Sequence, residues 1–220
     1  MKERLYRLNF GWEAILILVA IVLAWNASHP INPEVAWKRI CGYQKISEDA
    51  PVLSLPVNAK DVRYRYYGIF PFGTKENHPR GHPGIDFELK RGAEILAATP
   101  GTVAVINRNP RWINQYWVRI YYNYHYSLKY DHLGKVFVKT GEKVKRGQII
   151  GKAAIWSRGP ISMIHFEFDV KEKIYKGIYI RTAVCPGPYF SKEAKKELMK
   201  MVLRSKYHRL CYKSENTATR

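Results

Sequence analysis

Val136-Phe137-Val138-Lys139-Thr140-Gly141-Glu142-Lys143-Val144-Lys145-Arg146-Gly147-Gln148-Ile149-Ile150-Gly151 is the stretch whose reading decides the fold. Two short apolar runs, Val136–Val138 and Gln148–Gly151, flank a middle part, Thr140–Gly147, that reads as turns around a brief extended piece. Upstream, Ala93–Ala98, Gly101–Asn107, Tyr116–Tyr122 and His125–Tyr130 are further short aromatic or β-branched runs split by turn residues. Val62–Tyr67 also reads as a strand, Pro71-Phe72-Gly73 opens a loop, and downstream His165–Val170 alternates as a strand does. Many short strands at regular spacing predict an all-β domain, a compact antiparallel barrel or sandwich.

Beyond Pro186-Gly187-Pro188 the period changes. Ser191 is placed to N-cap an amphipathic C-terminal helix with Ala194, Leu198, Met201 and Val202 on one face, at i, i+4, i+7 and i+8. Packing on the domain is the expected use of that face. Its Lys- and Arg-rich side also suits an anionic membrane surface. The domains expected are therefore 1–27 as a hydrophobic N-terminal segment, 28–60 as a linker with one short helix around Glu34–Ile40, 61–185 as the β domain, and 186–220 as helix and tail.

The 220 residues carry 37 Lys and Arg against 18 Asp and Glu, a formal net charge of +19. Such an excess points to an anionic partner: nucleic acid, a membrane surface or a cell-wall polymer. The N-terminus chooses among them. Lys2, Arg4 and Arg7 precede an unbroken apolar run, Ala14–Trp25, the length of a signal-sequence core, where full spanning needs about 20 residues. Taken as Phe10–Ala27 it also suits a short anchor helix with Glu13 and Asn26 at the interfaces. Either way the basic body is exported, as a single-pass inner-membrane protein with a periplasmic or extracellular domain or as a secreted one, and nucleic acid is disfavoured. Cys41, Cys185 and Cys211 are not spaced as a zinc knuckle; one disulfide and one remaining thiol fit an oxidising compartment, inert buried thiols fit equally well, and the pairing stays open.

The chemistry is concentrated in His82-Pro83-Gly84-Ile85-Asp86 and, far downstream, His165 within Met163-Ile164-His165-Phe166-Glu167-Phe168. Two imidazoles and a carboxylate suit zinc and leave a fourth position open, as hydrolytic rather than structural zinc sites do. Pro83-Gly84 breaks regular structure, so a loop-borne histidine and a carboxylate at the head of the next strand can converge on one ion.

From Tyr66 to Val170 the chain resembles the lysostaphin-type, LytM-like zinc endopeptidases, which cut peptide cross-bridges of bacterial cell walls. The resemblance runs through Pro71-Phe72-Gly73, His-x-Gly-x-Asp at 82–86, Gly92–Ala98 leading to Gly101-Thr102-Val103, Tyr130-Asp131-His132-Leu133, Val138–Gly151 and His165-Phe166-Glu167. It implies a barrel-sandwich of the duplicated hybrid motif type. It also implies Zn2+ on His82, Asp86 and His165, with His132 facing the metal-activated water or the developing oxyanion. Asp131 stands where the family has a small residue; strand neighbours point to opposite faces, so no contact with the His132 side chain is expected.

Met163 is the departure. The family's last motif is His-x-His, whose first histidine assists proton transfer, and position 163 shares a strand face with His165. A thioether cannot act as a general base, and losing such a group costs about 10²–10⁴-fold. His78 and Glu167 are stand-ins to be tested; His125 is read as a hairpin residue without a role.

Two other motifs compete. The glycine-punctuated hairpin at 138–148 also occurs in lipoyl and biotin carriers, and Met199-Lys200-Met201 resembles a biotin-acceptor triplet, but that triplet lies in a helical pattern far from the hairpin. Tyr64, Tyr66, Tyr67, Trp112, Tyr116, Trp117, Tyr121, Tyr122, Tyr124 and Tyr126 cluster with Arg63, Arg65, Arg111 and Arg119. Strand packing accounts for them first, a glycan groove second. The expected function is zinc-dependent hydrolysis of peptide bonds in peptidoglycan. The alternative is a zinc-binding but weak or inactive domain that binds the wall or scaffolds a hydrolase or secretion machine as a protein partner.

Overall fold

A computed structural model describes residues 40–42, 46–109, 115–155, 161–175 and 178–208, all within a unit spanning Pro33–Arg220. The expected N-terminal hydrophobic helix, nearly all of the short helix near Glu34–Ile40, Trp112 and the tail with Cys211 lie outside the described residues. Ten strands follow in order: β1 (Ile69–Phe70), β2 (Ile85–Lys90), β3 (Glu94–Leu96), β4 (Gly101–Arg108), β5 (Tyr116–Tyr121), β6 (Tyr126–Val136), β7 (Lys143–Val144), β8 (Ile149–Ile155), β9 (Ile161–Tyr175) and β10 (Ile178–Val184). An α-helix, α1 (Lys192–Arg204), follows the strands. Among the described residues no helix is long and apolar enough to cross a membrane.

All strand pairings are antiparallel, so the all-β expectation holds. The sheet is ordered β1-β2-β9-β8-β6-β5-β4-β7, with β10 on β9, β3 on β8, and a further β9–β6 pairing. Long β9 is its axis: its first half pairs with β2, and its middle pairs with β6 on the other side. One face of these strands is apolar. Ile85, Phe87 and Leu89 of β2, Ile164, Phe166 and Phe168 of β9, Leu128 and Tyr130 of β6, and Val118 and Ile120 of β5 are all fully buried. Aromatic contacts knit this face, with Tyr130 and Phe166 ring centroids 5.3 Å apart and Phe168 and Tyr189 4.4 Å apart. The opposite face carries the polar alternates.

α1 covers part of the core, as the packing reading expects. Ser191 accepts a hydrogen bond from the Ala194 amide at 3.1 Å, and Ala194, Leu198, Met199, Met201 and Val202 are buried.

Two readings need correction, and one left open is decided. Residues 46–60, inside the expected linker, are tied to the domain. Leu53 and Val57 are buried, Leu53 N–H donates to Tyr189 O, and Leu96 N–H donates to Pro56 O, both at 2.8 Å. Alternating apolar residues gave this segment a place on the core that its prolines concealed. Val62–Tyr67 is not a strand, although Val62 forms an isolated bridge to Leu89. Instead the amides of Arg65, Tyr66, Tyr67 and Gly68 converge on the buried Glu88 carboxyl at 2.9–3.3 Å. Consecutive N–H groups curled round an acid form a nest, which satisfies the backbone as a sheet ladder would. Finally, Cys41 pairs with Cys185, closing a separation of 144 residues.

Glu88 is the buried knot of this wall. Glu88→Ala leaves four backbone donors unpaired and is expected to lower unfolding stability by roughly 3 kcal/mol in urea titration. A loss below about 0.5 kcal/mol would show that the nest carries no load.

Candidate metal centre

Asp86, His165 and Asp131 face one another across β2, β9 and β6, one row on the polar face of the sheet. Side chains in such a row stand about 5 Å apart at their Cβ atoms, close enough to share an ion. His82 enters from the preceding loop. His165 Nδ1 lies 2.6 Å from Asp86 Oδ1, His82 Nε2 lies 3.2 Å from the same oxygen, and the two nitrogens are 3.1 Å apart. Ligands about 2.0–2.1 Å from a tetrahedral zinc stand about 3.3 Å from one another; two edges of the triangle match that spacing, and the 2.6 Å edge is a hydrogen bond that an ion would replace and widen. The three sequence-predicted ligands therefore come together as one group, the only such His/Cys/Asp/Glu group among the described residues.

Both histidines are held by their outer nitrogens. His82 Nδ1 lies 3.3 Å from the Pro71 carbonyl, which accepts its proton and leaves Nε2 to face the triangle. His165 Nε2 donates to Glu167 Oε1 at 2.8 Å, leaving Nδ1 on the metal side. Such partners fix tautomer and ring orientation. Gly84 is needed for close approach, since a Cβ there would collide with the Phe166 carbonyl and the His165 ring.

Without a metal the triangle is strongly polarised. Burial pushes the His165 imidazole down, but hydrogen bonds and charge from Asp86 and Glu167 outweigh it and lift the pKa to about 9. Burial raises the carboxyls, yet hydrogen bonds from His165 and His82 hold Asp86 well below the usual range. Glu167, bonded to His165 and 3.3 Å from Lys129 Nζ, is lowered to about 2.

The cleft above, about 860 Å³, is walled by Tyr67, Phe70 and Tyr207 on one side and by Lys129, Asp131 and His132 on the other. His132 has φ +65°, and the β5–β6 register slips between Tyr116 and Val118. This bulge breaks strand alternation, so Asp131 and His132 both line the cleft, against expectation. Asp131 Oδ1 accepts from the His132 backbone amide and from Asn109 Nδ2, both at 2.8 Å. The His132 side chain bonds through Nδ1 to Gln115 Oε1 at 2.7 Å. Burial keeps that imidazole below its usual pKa, so it is neutral, with its proton on Nδ1 and its basic nitrogen at Nε2.

Met163 lines the cleft two residues before His165, between Glu88 on β2 and Ala154 on β8. Both stand-ins line the same cleft. His78 packs against the rings of His82 and Phe70, at 4.9 and 5.7 Å, and Glu167 is committed to His165 and Lys129. His125 sits at the β5–β6 hairpin, its carbonyl accepting from Lys171 N at 2.8 Å. Sequence reasoning passed over Lys129, which its spacing of two from Asp131 signals, and Gln115, which no motif marks.

Residues 80–176 match the profile of peptidase family M23. The chain is 29% identical over 139 residues to the "Uncharacterized metalloprotease" of Haemophilus influenzae, covering 60% of this chain and 28% of that protein. It is 36% identical over 107 residues to peptidoglycan DD-endopeptidase ShyB of Vibrio cholerae, covering 46% and 25%. It thus spans only about a quarter of the length of these curated relatives. Among solved structures, LytU is 31% identical with a TM-score of 0.44, covering 57% of this chain and 86% of that one.

Because His165 is protonated up to about pH 9 in the metal-free protein, zinc must displace a proton. Calorimetry in buffers of different ionisation enthalpy is expected to show about one proton released per zinc near pH 7.5, with affinity falling about tenfold per pH unit towards pH 6.5. Zinc binding without proton release would contradict the site.

Proposed function

We propose, on the premise that residues 80–176 are a domain of peptidase family M23, that this chain is a zinc-dependent endopeptidase acting on the peptide portion of bacterial peptidoglycan. The observation that carries the proposal is the triangle of His82 Nε2, Asp86 Oδ1 and His165 Nδ1, closed to within 3.2 Å at the floor of an open cleft. Zinc held there lowers the pKa of water towards about 7 and polarises a carbonyl.

The chain's own residues do the rest. Glu167 and the Pro71 carbonyl keep the two imidazoles aimed inward. His132, neutral and with Nδ1–H given to Gln115, presents Nε2 as a proton acceptor, so it takes the proton from the attacking water and can return it to the departing amine. Of the two roles that the family resemblance implies, this is the one facing the water and not the oxyanion, because a ring protonated at Nδ1, with that proton given to Gln115, has no second proton to donate. The phenols of Tyr67 and Tyr207 flank the cleft opposite.

Export to the oxidising side of a membrane is part of the same proposal. The Cys41–Cys185 disulfide supports it, since such bonds persist outside the cytosol. So does the basic, then apolar, N-terminal sequence.

Met163 favours a second reading, a zinc-binding domain that holds the wall or a partner protein without cutting. The full chain loaded with zinc, incubated with sacculi and with short cross-bridge peptides, separates the two. Slow release that disappears with chelator and falls at least about 100-fold in His132→Ala is expected, and Met163→His is expected to raise it about 100-fold. Release no greater than that of His132→Ala, with zinc bound, would leave the scaffold reading.

A further inference from the structure

We infer that the substrate-binding surface continues past the metal, along the same sheet face, to a second subsite that takes a sugar ring of a glycan strand. The inference rests on the peptidoglycan reading and specifies how the polymer is held.

Alternation supplies the path. Met163, His165 and Glu167 of β9 line the metal cleft, so Asp169 and Lys171, next in period, lie on that face too. On β5, Trp117 and Arg119 line the cleft and Tyr121 follows. The rows agree: Arg119, Lys129 and Glu167 face one another, and Tyr121, Ser127 and Asp169 form the next row, in which Ser127 and Asp169 are buried, bonded by Arg181 and Arg119, while Tyr121 reaches the surface. Arg119 Nη1 bridges the two rows to Asp169 Oδ2 at 2.9 Å. From His165 to Lys171 the strand advances six residues, about 20 Å, or several sugar units.

At the far end the lining changes character. Lys171 and Arg181 stand directly opposite on β9 and β10, a pairing that ordinarily costs stability. Each is instead seated on a tyrosine, Lys171 Nζ 3.4 Å from the Tyr124 ring centroid and Arg181 4.4 Å from that of Tyr121. Arg181 also donates to the Tyr124 carbonyl at 3.1 Å, and Asn123 Oδ1 accepts from the His125 and Tyr126 amides at 2.9 Å, so the hairpin tip is fixed. The depression so formed, about 480 Å³, has three tyrosines and two cations and no acidic residue among its lining. Tyr124 is 60% and Tyr122 38% exposed, large aromatic surface left to solvent. Each cation covers one face of its tyrosine, so the exposed remainder of Tyr124 and the Tyr122 ring offer surface for sugar C–H groups, and the Lys171 ammonium offers N–H donors for hydroxyl and acetamido oxygens.

The test uses the full chain, a neutral β-1,4-linked N-acetylglucosamine hexamer, and single-stranded DNA of matching length. Salt is raised so that attraction to the +19 chain is screened. Saturable hexamer binding is expected, weakened about tenfold in Tyr124→Ala and largely retained in Tyr124→Phe, with hydrolysis of short peptides unaltered. Absent hexamer binding, equal binding by Tyr124→Ala, or tighter binding of the DNA would overturn the subsite. Failure to cleave short peptides would instead overturn the endopeptidase reading and leave the hexamer result to decide this one.

Discussion

The double pairing of β9 is the constraint on which the rest of the structure depends. Its His165 sits opposite Asp86 of β2 on one side and Asp131 of β6 on the other. That register aims the three side chains from one row, and a one-residue slip of either pairing would turn His165 into the core and Phe166 into the cleft. The apolar alternates enforce it. Phe87, Leu128, Ile164 and Phe166 are fully buried and leave no competing register that hides them equally well. Core packing and metal geometry are thus the two faces of one pleat.

Around that row, the molecule holds its polar groups by backbone as much as by side chains. Pro71 offers a carbonyl to His82, a bulge at His132 swings an imidazole over the cleft, and the amides of residues 65–68 close on Glu88. These devices share a logic: a buried polar group is given fixed partners, because leaving it unpaired costs more than the bond gains. They also preorganise the cleft. The histidines need no reorientation to present a nitrogen to an ion, and the neutral His132 has its tautomer set by Gln115.

How much of this was legible in sequence follows from what each signal encodes. The grouping of His82, Asp86 and His165 was readable chiefly through the resemblance that runs from Tyr66 to Val170, since a histidine four residues before an acid is a weak signal alone; period two then placed position 163 beside His165. α1 was readable from its cap and apolar stripe. Hidden features were those in which tertiary partners override local pattern. Val62–Tyr67 has strand composition, but Glu88 takes its amides; residues 46–60 look like a proline-rich linker, but Leu53 and Val57 find the core. The bulge at His132 is a single positive φ in a non-glycine residue, which no local propensity announces. β10 escaped because Ile178–Val184 gains its place only by pairing with the extended end of β9.

The central claim is that two imidazoles and one carboxylate, and no sulfur, hold the metal. X-ray absorption at the zinc edge of the loaded full chain tests it most directly. The account predicts a shell of four nitrogen and oxygen scatterers at about 2.0–2.1 Å with the multiple-scattering signature of two imidazoles. A sulfur scatterer near 2.3 Å, from Met163 or a cysteine, or the signature of a single imidazole, would contradict it.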